Sequence, residues 1–289
     1  MKKNLILIFL VPIFVVTSCN RVYYIPSTQN VPLLTESTDF RLSGTATFGQ
    51  SFIGADFQVA YSPIKHLGIM ANGFWGSEDG EDVFQTTNLN TGRFLEFGLG
   101  GYYPISDFST FEAYGGYGKG TINYSWSFNN PTAINYDRIF MQFTAGIKQD
   151  IFEIAITDRF SFVNYTNISQ LEKHSSFNDY YKNVPTRSNY LFQEPSVTLR
   201  VGFPLIKYQT QIQRNFQMTG SDLAHNTYVV SLGFIVSPDL FLDDEETDVK
   251  GFVYVNILQQ FIRQIRQLTP LSFLQSNYGT HRMIFNFIN

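Results

Sequence analysis

Four histidines and several carboxylates are the residues of this chain that could take part in catalysis. His225 follows Ser221 and Asp222, but the three groups of a hydrolase triad normally come from separate elements, because the base must reach the nucleophile from elsewhere. Glu96 and Glu112 are predicted on adjacent strands, where two carboxyls could act as acid and base; a salt bridge from either one to an arginine is the stronger expectation. The sequence lacks an HExxH motif, a Cys/His pair and a glycine loop that opens a helix. We therefore expect no metal, no cofactor and no enzymatic activity.

Charged residues of both signs recur on the polar faces of the extended segments. The members of this set are Arg41, Glu96, Glu112, Arg138, Glu153, Arg159 and Arg200. In the lumen of a narrow barrel such residues would pair and block a pore, since an unpaired buried charge is costly. We predict that these seven residues form a lumen charge network.

The composition excludes several classes of protein. Only 15% of the 289 residues are charged and the net charge is -4, which argues against a nucleic-acid binder, because such a protein needs a basic face. The apolar content of 44% argues against a disordered chain. A single cysteine excludes an internal disulfide framework.

The first 18 residues have the anatomy of a signal peptide. A basic start precedes an apolar run from Leu5 to Val16, which is shorter than the ~20 residues needed to span a bilayer. The run ends in Val16-Thr17-Ser18-Cys19, which resembles the bacterial lipobox. The resemblance implies that Cys19 is acylated and becomes the mature N-terminus; the alternative is an ordinary signal peptide with a chance cysteine.

Residues 19–37 show neither strand nor helix periodicity and are predicted to be an extended, lipid-anchored linker. The segment resembles the N-terminal part of uncharacterised Bacteroidota envelope lipoproteins, through Tyr24, Pro26, Asn30, Val31, Pro32, Leu33 and Leu34. This resemblance implies an envelope location and no particular activity.

From residue 38 to 236 the chain alternates with period two, which is typical of strands. Ile139, Met141 and Phe143 share one face, and Arg138 and Gln142 share the other. About ten such segments predict an all-β, antiparallel up-and-down membrane barrel.

Connections of unequal length favour an outer-membrane barrel, in which short turns are periplasmic and long loops are outside. Short turns are predicted near 63–66, 104–108, 149–150 and 204–205, and longer loops near 77–91, 128–134, 164–190 and 217–224. Aromatic residues are predicted at both ends of the strands, namely Tyr61, Tyr103, Phe203 and Phe234 at the turns and Trp75, Trp126 and Tyr165 at the loops. An even strand number starts and ends the barrel in the periplasm, where Cys19 would hold the inner leaflet.

Two other regions carry separate expectations. The 164–190 loop mixes aromatic and basic residues and is interpreted either as a binding surface for a glycan or protein or as a lid on the barrel. In the tail, residues 237–289, an acidic turn precedes an amphipathic pattern from Ile257 to Leu268, which predicts a helix; extra strands are the alternative.

The sequence thus predicts a lipid-anchored protein of the Gram-negative outer membrane, with a structural or binding role and a plugged lumen. Its expected partners are outer-membrane lipid and a surface glycan or protein. The alternative is a periplasm-facing lipoprotein whose soluble β-barrel buries its apolar faces around an apolar ligand.

Overall fold

The computed structural model describes residues 22–50, 52–81, 87–124, 132–166, 189–219 and 223–241. Within these ranges the strands are β1 (Phe40–Gly49), β2 (Ile53–Ile64), β3 (Leu67–Glu81), β4 (Thr87–Ser106), β5 (Ser109–Tyr124), β6 (Thr132–Lys148), β7 (Phe152–Tyr165), β8 (Asn189–Gly202), β9 (Ile206–Arg214), β10 (Phe216–Gln217) and β11 (Tyr228–Val236). A short 3-10 helix, Pro238–Phe241, follows β11. Among the described residues no helix is long and apolar enough to cross a membrane.

The chain divides into two compact units, residues 1–239 and 240–289, and every strand above belongs to the first. The helix predicted between Ile257 and Leu268, and the alternative extra strands of the tail, lie outside the described residues.

From β1 to β9, each strand pairs antiparallel with the next one in sequence. β11 then pairs with β9 on one side and with β1 on the other, which closes the sheet. Ten strands of the described chain make the closed barrel, and β10 is a two-residue addition beside β8. The predicted antiparallel up-and-down barrel of about ten strands is confirmed.

The two ends of the barrel differ in their connections. At one end, here called the turn end, the strands are joined by residues 65–66, 107–108, 149–151 and 203–205. At the opposite loop end the connections are 50–52, 82–86, 125–131, 166–188 and 218–227. The loop predicted over 77–91 is shorter than expected, because β3 and β4 stay paired as far as Glu81 and Thr87.

The strands direct their apolar residues outward. In β6 both Ile139 and Met141 are 57% exposed, whereas Arg138 and Gln142 are fully buried. The same alternation places Val197, Leu199 and Val201 of β8 on the outside. This arrangement, apolar outside and polar inside, is that of an outer-membrane-type β-barrel. It is the reverse of the soluble alternative, which needs the apolar faces inside.

Aromatic residues line the outer wall at the turn end, where Tyr61, Tyr103, Phe203 and Phe234 are all exposed. Trp75 is exposed towards the loop end, whereas Tyr165 is buried. Tyr165 does end β7 at the loop end, but it lies on the inner face, which it shares with Val163. Trp126 lies outside the described residues.

Glycines on the inner face leave space for large neighbours. A Cβ atom on Gly116 would stand 2.3 Å from a ring carbon of Phe140, and one on Gly120 would stand 2.2 Å from the ring of Tyr136. Both rings are buried inside the barrel. Glycine at these positions of β5 therefore lets two aromatic side chains of β6 lie flat against the wall.

A charge placed on the outer wall tests whether that wall faces lipid. We expect Ile139→Arg, at the middle of β6, to lower the free energy of unfolding from phospholipid vesicles by about 2–4 kcal/mol. Ile64→Arg is the matched control, because Ile64 is 61% exposed but ends β2 at the turn end; its cost should be about 0–1 kcal/mol. Equal, near-zero costs in denaturant titrations would show that the wall faces water.

Candidate functional site: the filled barrel interior

Residues 22–35, here called the lumen segment, run through the interior of the barrel instead of forming a free linker. Every residue from Val22 to Leu34 is buried. Apart from the bridge at Tyr24, the segment forms neither helix nor strand, and its burial differs from the expected free linker. The interior of an eight-stranded barrel is filled by side chains alone, so a ten-stranded barrel has room for an additional extended chain.

The lumen segment begins at the loop end. The Tyr23 N–H donates to the carbonyl of Ala224 (2.8 Å), and the Tyr165 hydroxyl donates to the carbonyl of Tyr23 (2.7 Å). Tyr24 forms a parallel bridge with His225 and stacks on Phe192, with ring centroids 4.3 Å apart. These rings belong to a larger apolar cluster that fills the loop end of the interior.

The lumen segment finishes at the turn end. The ammonium of Lys148, the last residue of β6, donates to the Thr35 hydroxyl (3.0 Å). The Thr35 N–H then donates to the carboxylate of Asp39 (2.7 Å), one residue before β1. The segment therefore traverses the interior from the loop end to the turn end before the first strand starts.

Amide side chains of the wall replace the strand partner that the middle of the lumen segment lacks. Gln211 accepts from the N–H of Gln29 (2.8 Å) and donates to its carbonyl (3.0 Å). Gln58 donates to the carbonyl of Thr28 (3.1 Å), and Gln142 donates to that of Asn30 (2.6 Å). Buried backbone groups need such partners, because leaving one unpaired costs free energy comparable to a lost hydrogen bond.

Four charged residues form a buried cluster halfway along the lumen segment. Arg138 pairs with Glu96 (2.5 Å), and Arg159 pairs with Glu194 (2.6 Å) and lies 3.6 Å from Glu96. All four side chains are at most 1% exposed. Two cations and two anions therefore balance one another in a site that is closed to bulk solvent.

The same cluster binds the lumen segment directly. Arg138 donates to the Ser27 hydroxyl (2.8 Å) and Arg159 donates to the Ser27 carbonyl (2.8 Å). The Tyr24 hydroxyl donates to Glu194 (2.7 Å). The charges thus fix the segment in position as well as neutralising one another.

A second buried cluster lies nearer the turn end. Glu153 accepts from Arg200 (2.8 Å) and from Lys207 (2.7 Å). Arg200 also donates to the carbonyl of Val31. This cluster carries one more cation than anion, and a lumen-segment carbonyl takes part of the excess donor capacity.

Glu112 binds backbone instead of an arginine. Its carboxylate accepts from the consecutive N–H groups of Leu33 (3.2 Å) and Leu34 (2.8 Å). Leu33 has a φ of 51°, in the left-handed region that non-glycine residues seldom adopt. That turn directs both N–H groups to the same side, as in backbone anion-binding concavities.

Asp39 holds the bend between the lumen segment and β1. It accepts from the backbone N–H groups of Thr35 (2.7 Å) and Glu36 (3.2 Å) and lies 3.7 Å from the Lys148 ammonium. Burial alone would raise the pKa of Asp39, but Lys148, these N–H donors and Arg41 outweigh it and hold the pKa below its ordinary value. The carboxylate form is therefore the one that fits the bend.

The structure places five of the seven candidate residues in the two ion-pair clusters. The other two, Arg41 and Glu112, are buried elsewhere in the interior. Glu96, Arg138, Glu153, Arg159 and Arg200 are in the ion-pair clusters, and Arg41 is buried at the turn end. The salt bridge expected for either glutamate holds for Glu96 and not for Glu112. Glu112 lies opposite Tyr102, six residues along β4 from Glu96 and so about 20 Å away. These two glutamates therefore cannot act as an acid/base pair.

Sequence reasoning missed Glu194, Lys207 and the lumen segment as partners of the network. The sequence pattern could have predicted Glu194, because it lies an even number of residues from Arg200 in β8 and therefore on the same inward face. That face also carries Tyr190, Phe192 and Ser196. The lumen segment had no such pattern, since it follows no period. Of the 164–190 loop, Tyr165 and Tyr190 are buried in the interior with ring centroids 5.8 Å apart, and residues 167–188 lie outside the described residues.

The histidines in the described ranges have ordinary surroundings. His225 Nδ1 is 2.9 Å from the carbonyl of Leu223, and His66 Nδ1 is 3.1 Å from that of Tyr102. Ser221 and Asp222 lie outside the described residues, as do His174, His281 and Cys19. The described part of the chain has no group of three His, Cys, Asp or Glu side chains arranged to hold a metal ion.

No protein-family profile and no curated protein sequence matches this chain. Among solved structures it is similar to the translocator domain of autotransporter NalP from Neisseria meningitidis, with a TM-score of 0.38 and 8% identity over 71% of this chain and 89% of that one. At that level the likeness carries no information about activity or partners. The barrel architecture stands on the strand pairings themselves.

Removing one partner of the central cluster should be far more costly than removing a surface ion pair. We expect Glu96→Gln to lower the free energy of unfolding in detergent micelles by about 3–5 kcal/mol, because Arg138 and Arg159 lose a shared counter-charge. Asp137→Asn is the control, since Asp137 pairs with Lys119 at 3.8 Å and the two side chains are 31% and 73% exposed, respectively. The loss of this pair should cost at most about 1 kcal/mol. Similar costs for both variants would contradict a tightly coupled interior.

The bend at Asp39 should make stability depend on pH in acid. Because its folded-state pKa is depressed, Asp39 contributes stability above its unfolded pKa of about 4, and that contribution is lost as pH falls through the lower folded value. Asp39→Asn should cost about 1–3 kcal/mol at pH 7 and flatten the acid limb of the stability curve. Asp107→Asn, at an exposed turn position, is the control, and a wild-type-like acid limb in Asp39→Asn would contradict the assignment.

Proposed function

We propose that this protein is a lipid-anchored β-barrel of the Gram-negative outer membrane, with a plugged lumen and a structural or binding role. The observation that carries the proposal is the burial of the lumen segment from Val22 to Leu34 among paired charges. Neither a cofactor nor catalysis forms part of the proposal.

The outward apolar face supports the membrane location. In a bilayer every backbone polar group must be paired within the protein, and a closed barrel achieves this with strands. The signal-peptide anatomy of residues 1–18 supports export, and the Val16-Thr17-Ser18-Cys19 motif supports acylation of Cys19. Outer-membrane lipid is then the first partner.

The interior supports a plugged lumen. A water-filled channel has solvated charges on its wall, whereas here Arg138, Arg159 and Glu194 are fully buried. Each also bonds directly to a residue of the lumen segment, Arg138 and Arg159 to Ser27 and Glu194 to Tyr24. The lumen segment therefore takes the space that water would occupy in a porin.

A binding role would depend on the loop end. We propose that the 164–190 connection presents its remaining aromatic and basic residues to a surface glycan or protein. Tyr165 and Tyr190 anchor the two ends of that connection in the interior cluster, so the residues between them are the ones left to contact a partner.

Electrical recording tests the plugged lumen. We expect the wild-type protein, refolded into planar lipid bilayers, to show no stepwise ion conductance. A variant with residues 25–34 replaced by a Gly/Ser sequence of equal length should conduct, because the packed side chains and their bonds are gone. Lys119→Ala, a change on the exposed side of β5, should remain silent.

Folding is checked in parallel by the mobility of unboiled samples on gels, so that only folded protein is compared. Porin-like conductance of the folded wild-type protein would contradict the proposal. If the Gly/Ser variant does not fold, the wild-type recording alone still decides.

A further inference from the structure

The two ends of the lumen segment lie at opposite ends of the barrel. Tyr23 bonds to Ala224 and Tyr165 at the loop end, and Thr35 bonds to Lys148 at the turn end. Tyr23 and Thr35 are twelve residues apart, which is about 40 Å of extended chain. That length exceeds the ~25 Å apolar band of an outer-membrane barrel.

Covalent connectivity then limits where Cys19 can be. Cys19 precedes Val22 by three residues, and three residues reach at most about 10 Å. Val22 is buried as a member of the loop-end cluster. Cys19 is thus restricted to the neighbourhood of the loop end and cannot return to the turn end.

We propose that the acyl chains of Cys19 insert into the outer leaflet, so that the mature N-terminus is displayed at the cell surface. This inference rests on the proposed acylation and on short turns facing the periplasm. It reverses the expectation that the anchor holds the inner leaflet, because that expectation took residues 19–37 as a linker outside the barrel. The reversal follows from the lumen segment, because this segment crosses the barrel from the loop end to the turn end before β1 begins.

The outer wall near the loop end suits acyl chains. Ile53, which starts β2, is 62% exposed, and Trp75 on the neighbouring β3 is 54% exposed. Acyl chains that leave the loop-end rim would lie between this apolar wall and the surrounding lipid. An exposed tryptophan near the edge of the apolar band is typical of the bilayer interface.

A thiol-labelling experiment on intact cells tests the inference, because Cys19 is the sole native cysteine and acylation blocks it. A reporter thiol is introduced in the full-length protein by a Gly-Ser-Cys-Gly insertion between Asn20 and Arg21. Lys65→Cys, at an exposed turn-end position, marks the periplasmic side, and Ser175→Cys in the β7–β8 connection marks the surface. Each variant is treated with a membrane-impermeant maleimide before and after permeabilisation.

We expect the inserted thiol and Ser175→Cys to be labelled on intact cells, and Lys65→Cys to gain at least about tenfold on permeabilisation. Incorporation of radiolabelled palmitate should occur in the wild-type protein and be lost in Cys19→Ser. If the inserted thiol instead behaves like Lys65→Cys while palmitate is incorporated, the surface display is wrong and the proposed function stands. Absence of palmitate from the wild-type protein overturns the inference, because Cys19 is then not acylated. Equal labelling of Lys65→Cys and Ser175→Cys also overturns it, because the assumed orientation of the barrel is then wrong.

Discussion

The structure depends on one constraint: polar groups buried inside the barrel need partners within the protein. A wall of ten described strands presents arginines, glutamates and glutamines inward and encloses more space than those side chains fill. The lumen segment resolves both problems, because it occupies the space and supplies its own carbonyl and N–H groups as partners. Arg159 bonds to Ser27, and Arg200 to Val31. The wall and the segment therefore supply many of each other's hydrogen-bond partners.

The outward face follows the opposite rule and was the easier part to predict. Alternation along β6 and β8 identifies two faces from sequence, and the low charge content together with unequal connections indicates that the apolar face is outside. The observed register keeps these faces, because a shift by one residue would turn Arg138 outward and Ile139 towards the lumen. The number of strands and the face of each strand that points outward could therefore be predicted from local pattern and composition.

The lumen segment was not accessible in this way, because its partners are distant in sequence and unrelated by any period. Tyr24 and Glu194 are 170 residues apart, and Gln29 and Gln211 are 182 apart. A stretch such as Ser27 to Asn30 has no side-chain periodicity, since wall residues contact it from all directions. Only knowledge of which side chains converge in the closed barrel distinguishes such a segment from a solvated linker. For the same reason Glu112 was expected to pair with an arginine when it binds backbone.

Fixing the segment so firmly has a consequence for where function can reside. Withdrawing it would leave the Arg138 and Arg159 cluster without the bonds from Tyr24 and Ser27, and would leave Glu112 without the N–H groups of Leu33 and Leu34. Each buried polar group left unpaired in this way costs about 1–3 kcal/mol, which favours retention of the segment inside the barrel. With the lumen plugged, as proposed above, the protein would act through its surfaces. The loop-end rim, where the chain enters and the longest connection departs, is then the region through which a structural or binding role would act.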